Sequence, residues 1–242
     1  MSYAPLTPKD RVILISGANR GIGRAVAERL YADGYTLSLG ARRLESLKPV
    51  MADMSSERVA GHAYDAKNSS SATSWVAATA KQFGRIDGLV NNAGIGLNFA
   101  VEDEDETALD EMWAVNTKGP LRLIRAAFSH LKASGAGRVV NIVSLSGKRV
   151  ASTALAGYAM SKFAMMALTH AVRQTGWEHG IRSTAICPGY VATDMTADVT
   201  ALPADKMIQP GAIAELVATV LLLPNSASVA EIPVNCRPEH SL

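Results

Sequence analysis

Tyr158 and Lys162 form a YxxxK pair. On a helix, a separation of four residues puts both side chains on one face, a turn apart. A neighbouring ammonium favours the tyrosinate and lowers the phenol from its reference pKa of about 10. A tyrosine tuned in this way can pass a proton to or from an alcohol or ketone oxygen near neutral pH. Of the 6 tyrosines only Tyr158 has a lysine four residues on, a match that one chain can produce by chance. Ser144 stands in Ser144-Leu145-Ser146-Gly147, directly after the apolar run 139–143. Its hydroxyl can hydrogen-bond a substrate oxygen and steady developing charge. Ser146 is a rival two residues on, and either serine can equally cap a loop.

A second chemistry lies near the start of the chain. Ser16-Gly17-Ala18-Asn19-Arg20-Gly21-Ile22-Gly23 follows an apolar run at 12–15 and opens a helix-period segment. Gly17 suits a tight turn, and Gly21 and Gly23 allow backbone and helix N–H groups to approach a pyrophosphate. The spacing is GxxxGxG, and its place between strand and helix favours a nucleotide over an ordinary loop. NAD sites place an acid about 20 residues on, at the end of the second strand. That region here reads Leu39-Gly40-Ala41-Arg42-Arg43, with no acid before Glu45. Arg42, joined by Arg20, is placed to meet a 2′-phosphate through paired charge-assisted hydrogen bonds. NADP(H) is therefore expected in preference to NAD(H). The competing view, two solvated arginines at a helix start, runs against the helix dipole.

These residues need a scaffold, and the chain alternates short apolar runs with helix-period segments. Strands are expected at 12–15, 35–39, 59–64, 86–90, 138–143, 181–187 and 232–235. Helices are expected at 21–33, 43–54, 69–83, 107–131, 156–178 and 211–223, with Pro49 able to break the second and Pro120 marking a kink in the fourth. Such alternation implies right-handed βαβ units and an α/β, doubly wound parallel sheet of about seven strands with helices on both faces. No linker or repeat divides the chain, so residues 1–242 are read as a single domain. Ligands in such sheets bind at the carboxyl ends of the strands, where the motifs above fall.

Composition excludes other classes. With 24 basic and 22 acidic residues, the net charge of +2 makes no case for nucleic acid or a membrane surface. Cys187 and Cys236 cannot build a disulfide framework, and no CxxC suggests zinc. Cys187 reads as a small buried residue. The five histidines, His62, His130, His170, His179 and His240, share no ligand spacing, so no metal is expected. The first residues lack the apolar core of a signal peptide. No stretch is long enough to span a bilayer, so a cytoplasmic protein is expected. The acidic run 102–106 complements a helix N-terminus and stays solvated. Segment 195–209, with Thr196, Val199, Leu202, Met207 and Ile208, reads as a lid over the site.

In joint order and spacing, over nearly the whole chain, these residues resemble the short-chain dehydrogenase/reductase family, which has a Rossmann-type fold. Ser16 to Gly23, including Asn19 and Ile22, is similar to the family's TGxxxGxG, with Ser in place of Thr. Asn92, Ala93 and Gly94, preceded by Asn91, match its NNAG. Asp65-Ala66 resembles its adenine-contacting position, Asn116 its helix asparagine, and Pro188-Gly189-Tyr190-Val191-Ala192-Thr193 its PGxxxT segment. The resemblance selects Ser144 over Ser146 through Ser-x-x-Gly and implies roles. Tyr158 would be the general acid in reduction, and Lys162 would also bind the nicotinamide ribose. Ser144 would orient the carbonyl, Asn116 would hold a water in a proton relay, and Val191 and Thr193 would contact the carboxamide. It further implies a small carbonyl or alcohol substrate, a substrate mouth bordered by the acidic run 102–106 with a preference for cationic substrates as the sharper alternative to a solvated run, and a homodimer or homotetramer paired through the helix at 156–178. The weighed alternatives are an NADPH-binding redox sensor and an epimerase or dehydratase, which usually carries an additional substrate domain.

Overall fold

In the computed structural model, residues 4–198 and 202–238 are described; Val199 of the expected lid and His240 lie outside them. The strands are β1 (Val12–Ser16), β2 (Thr36–Ala41), β3 (Val59–Ala63), β4 (Gly88–Asn91), β5 (Arg138–Ile142), β6 (Arg182–Pro188) and β7 (Glu231–Val234). They form one parallel sheet in the order β3-β2-β1-β4-β5-β6-β7. The helices are α1 (Gly21–Ala32), α2 (Lys48–Met51), α3 (Ser69–Phe83), α4 (Thr107–Met112), α5 (Gly119–Ala133), α6 (Ala156–Gly176) and α7 (Pro210–Leu222).

Strand alternation divides the core. Ile13 and Ile15 of β1 pack on one side with Val26 and Leu30 of α1 and Ile213 and Val217 of α7. Val12 and Leu14 pack on the other with Trp75 of α3, Leu123 and Ala127 of α5 and Val172 of α6. Both faces being covered explains why every residue of β1, β5 and β6 is buried. Successive strands run outward from β1 to β3, then restart on the other side of β1 with β4. That reversal opens a crevice at the carboxyl ends of β1 and β4.

Two expected helices differ from their sequence patterns. The segment expected at 43–54 is a 3₁₀ turn, Leu44–Leu47, followed by the four-residue α2. Pro49 stands in the first turn of α2, where its missing N–H is not needed. The helix expected at 107–131 runs through α4, a π-helical stretch Trp113–Lys118, and α5, which begins beside Pro120. Pro120 has no N–H to give the Asn116 carbonyl four residues earlier, and the chain absorbs this as a widened turn. The helix expected to reach 178 ends at Gly176 and passes into a 3₁₀ turn, Trp177–His179.

Candidate active site

The glycine turn is built against the end of β4. Gly17 and Ala18 donate backbone N–H bonds to Gly40 O at 2.8 and 3.2 Å. Ser16 Oγ accepts from the N–H groups of Asn92 and Ala93, both at 3.0 Å. The Asn92 amide donates back to Ser16 O and Gly17 O at 3.0 and 3.1 Å. This lock brings α1 so close that a Cβ on Gly23 would sit 2.2 Å from Gly17 O and 2.5 Å from Asn92 Nδ2. Gly17 itself holds a φ of +65°, which side chains disfavour. The first turn of α1 carries no acid and its N-cap makes no side-chain bond. The first N–H groups of α1 thus have no side-chain cap, and Gly21 and Ile22 line the crevice.

A cleft of about 510 Å³ runs from this turn along the carboxyl ends of the strands. Gly17, Asn19, Arg20, Gly21, Ile22, Arg42, Asp65, Ala66, Asn92, Ala93 and Gly94 line one part of it. Ser144, Tyr158, Lys162, Pro188, Gly189, Val191 and Thr193 line the rest. Of the expected residues, Gly23 and Asn116 do not line it: Gly23 packs behind the turn, and Asn116 is fully buried beneath the wall. Ser146 is not part of the lining either. The Ser144 Oγ accepts from Ser146 N at 3.0 Å, which closes the short 3₁₀ turn after β5.

At the β2 end, Arg42 and Arg43 are exposed and line the cleft with Ser46. Glu45, the first acid after them in the sequence, pairs with Lys48 at 2.5 Å instead. Arg20, expected beside Arg42, points elsewhere: its guanidinium bonds Asp194 at 2.8 Å across the mouth. The nearest carboxylate takes the cation, and both groups remain largely solvated. The Asp65 loop is held from below by Arg122, which donates to Ala66 O and Lys67 O at 3.1 and 3.0 Å. Lys67 meets Glu111 at 2.5 Å, and both line the cleft. Arg43, adjoining Arg42, and Lys67, following Asp65-Ala66, were legible as neighbours of motif residues. Glu111 had no local signal, because its place depends on α4 crossing to the Asp65 loop.

The Tyr158 end of the cleft departs from the sequence expectation in two ways. Lys162 Nζ lies 5.7 Å from the Tyr158 ring centroid and donates to Ile142 O at 3.0 Å. Burial brings the ammonium down to about 8 from 10.5. The Tyr158 phenol is raised, not lowered: burial dominates, and the hydrogen bond with Ser144 opposes it only in part. The expected tuning by charge therefore yields to desolvation. Asn116 differs as well. Its Oδ1 accepts from Ile95 N at 2.9 Å, and its Nδ2 donates to Ile95 O at 2.8 Å and Ser161 Oγ at 3.0 Å. That side chain is engaged in bracing the loop after β4 against α6. The Asn116 backbone carbonyl lacks the α-helical donor that Pro120 cannot supply.

The remaining candidates sit apart. Cys187 is fully buried and its thiol is pushed up to about 11 by burial. His170 bonds Glu231 at 2.8 Å. Among the described residues no three His, Cys, Asp or Glu side chains gather as a metal site, and no helix is long and apolar enough to cross a membrane. The acids at 102–106 are exposed and absent from the cleft lining; Asp103 and Asp105 accept from Ala100 N and Thr107 N at 2.8 and 2.9 Å.

Comparison with known proteins places these features in company. A family profile described as short chain dehydrogenase matches residues 11–203. An agropine synthesis reductase of Rhizobium rhizogenes is 43% identical over 229 residues, covering 94% of this chain and 53% of that protein. The chain thus spans about half the length of that relative. An alcohol dehydrogenase from the archaeon Thermococcus sibiricus, solved with 5-hydroxy-NADP, superposes with a TM-score of 0.86 at 31% identity, covering 95% of this chain and 99% of that one. A metagenomic short-chain oxidoreductase solved with NADP gives 0.81 at 27%, covering 96% and 99%.

Proposed function

The chain belongs to the short-chain dehydrogenase family of oxidoreductases, and from that premise we propose that it is an NADP(H)-dependent carbonyl reductase or secondary alcohol dehydrogenase, with residues 1–242 acting as one nucleotide-binding and catalytic domain. One observation carries this: the cleft that begins at the glycine turn ends on Ser144, Tyr158 and Lys162 together. The close-packed turn around Gly17 and Gly23 suits a pyrophosphate, and Arg42, Arg43 and Ser46, with Glu45 turned to Lys48, suit a 2′-phosphate. The NADP complexes of two structural relatives support the same preference.

When bound, the dinucleotide would supply the hydride to the carbonyl carbon. The chain's own groups manage position and proton. Ser144 Oγ donates to the carbonyl oxygen and fixes its direction. Tyr158 then gives that oxygen its proton. A phenol raised by burial holds this proton until the oxygen gains negative charge, which makes it an acid for reduction. Lys162, half a cation near pH 8, favours the tyrosinate left behind and would hold the nicotinamide ribose hydroxyls. The freed Asn116 carbonyl would hold a water that returns the proton through Lys162. Val191 and Thr193 would position the carboxamide. Met160 and Phe163 remain exposed one turn apart on α6, which supports a homo-oligomer paired through that helix.

The test is a panel of carbonyls and alcohols followed by NADPH absorbance, with Tyr158→Phe alongside. Wild type should turn over members of the panel, and the variant should lose turnover while keeping NADPH affinity. Full activity in the variant, or none in wild type on any carbonyl, refutes the reading.

A further inference from the structure

Resting on that reading of the cleft, we propose that Gly96 is a specificity-determining residue: by carrying no side chain it leaves the space between the Tyr158 ring and Met195 to a bulky substituent of the substrate. The backbone before and after Gly96 is held. Ile95 is fixed by both ends of the Asn116 amide. Leu97 N donates to Met112 Sδ at 3.4 Å. Phe99 N donates to Ala154 O at 2.9 Å, and Gly157 N to Phe99 O at 3.3 Å, which ties the loop to the residue before Tyr158.

Neither common structural reason for a glycine applies at this position. Its φ is not in the left-handed region, so the backbone conformation suits any residue. The atoms nearest to a Cβ built on it would be Tyr158 Cδ2 at 3.7 Å, Tyr158 Cε2 at 3.8 Å and Met195 Sδ at 3.9 Å, all ordinary contacts. Gly94, two residues earlier, is different: a Cβ there would press on Asn116 Oδ1 at 3.3 Å. Alanine therefore fits at 96, whereas a branched side chain would extend across the reacting phenol toward Met195. Met195 is half-exposed, lines the cleft, and has an unbranched thioether that can adapt to what lies beside it. Ile95 adds an apolar wall to the same cleft, and Gly96, itself exposed, stands at the edge of that lining beside Tyr158 and Met195. The substrate class that uses this space is a ketone with a ring-sized or branched group on one side of the carbonyl.

The experiment compares wild type with Gly96→Ala, Gly96→Val and Gly96→Leu, using 2-butanone and propiophenone as the small and bulky ketones. The readout is the ratio of kcat/KM for the two, with NADPH affinity by fluorescence as a check on folding. Alanine should leave the ratio within about threefold, and valine and leucine should turn it against propiophenone by more than about tenfold. Equal losses on both ketones, or an unchanged ratio, overturn the inference. If wild type reduces no carbonyl, it is the proposed reaction that fails. The role of Gly96 is then decided by thermal shift of the NADP⁺ complex. A rise in Tm with propiophenone in wild type but not in Gly96→Val supports it, and equal or absent rises overturn it.

Discussion

Replacing Lys162 by Met should make the folded protein more stable while it removes the proposed activity. Lys162 is 5% exposed, and burial brings its ammonium down to about 8 from the ordinary 10.5. The unfolded chain keeps this proton up to about pH 10.5, whereas the folded chain releases it near pH 8. Below pH 8 both states are charged, and the folded state bears the full cost of holding a cation away from water. At about 1.4 kcal/mol per pKa unit, that cost is about 3 kcal/mol. Methionine keeps the apolar stem and loses the bond to Ile142 O, worth about 1 kcal/mol. Net stabilisation of the variant at pH 7 should be about 2 kcal/mol.

The pH dependence gives a second readout. Between about pH 8 and 10.5 the unfolded state binds the Lys162 proton and the folded state does not, so wild-type stability rises with pH through that window. Relative to the variant, wild type should regain about 2 kcal/mol between pH 7 and 9.5. Tyr158, raised by burial, works in the opposite direction. It contributes stability that is lost only as pH climbs beyond the unfolded value of 10, above the window used. Urea denaturation of both proteins without nucleotide at pH 7 and 9.5 measures the difference. Parallel pH profiles, or a variant less stable than wild type at pH 7, would refute the assignment of Lys162 as a buried cation held at a cost.

Three further outcomes follow from the geometry. Ala41→Asp combined with Arg42→Ala should move the steady-state preference from NADPH toward NADH by about tenfold or more, because it removes a phosphate partner and adds a ribose acceptor; an unchanged ratio rejects the role of Arg42. Gly23→Ala places a methyl 2.2 Å from Gly17 O, so calorimetry should show NADPH affinity lost together with about 1–3 kcal/mol of stability in urea. Phe163→Arg puts a charge on the exposed side of α6, and analytical ultracentrifugation should show a lower assembly state than wild type, with NADPH binding retained.

The strands were legible because their apolar runs are short and each ends at a turn, and the sheet displaced their ends by only a residue or two. Ser16 and Ala41 belong to strands that the apolar pattern stops short of, because they complete ladders with Gly40 and Ala63. The segment at 43–54 differs because Leu44, Leu47 and Met51 have helical spacing, but Pro49 has no N–H for the Glu45 carbonyl, so the part before α2 is a 3₁₀ turn. Motif residues were legible wherever a type is needed at a fixed spacing, as with Gly17, Gly21 and Gly23. What spacing could not carry was partnership across distant elements. Arg20 and Asp194 are 174 residues apart, and Asn116 meets Ser161 across 45. The direction of the Tyr158 shift was hidden for the same reason: burial is a property of the assembled wall, and no local pattern reports it.

One chain of buried amides shows how the sheet governs the chemistry without touching it. Asn91 at the end of β4 donates to Asn141 on β5 at 2.8 Å, Asn141 donates to Thr169 on α6 at 2.8 Å, and Thr169 donates to Met165 O at 2.8 Å. All three side chains are essentially inaccessible. An apolar sheet face would let α6 slide or rotate at little cost, since dispersion contacts are not directional. A buried hydrogen bond is directional, and breaking it leaves a desolvated group at about 1–3 kcal/mol. The ladder therefore fixes the register of α6 on β4 and β5. Lys162 and Tyr158 lie two and three turns back along the same helix, and their height above the strand ends follows from that register. The first Asn of the NNAG run thus acts at one remove from the nucleotide, while its neighbour Asn92 locks the glycine turn. Two adjacent residues on one strand end set the two ends of the cleft against each other, which is why the run stands at the switch point of the sheet.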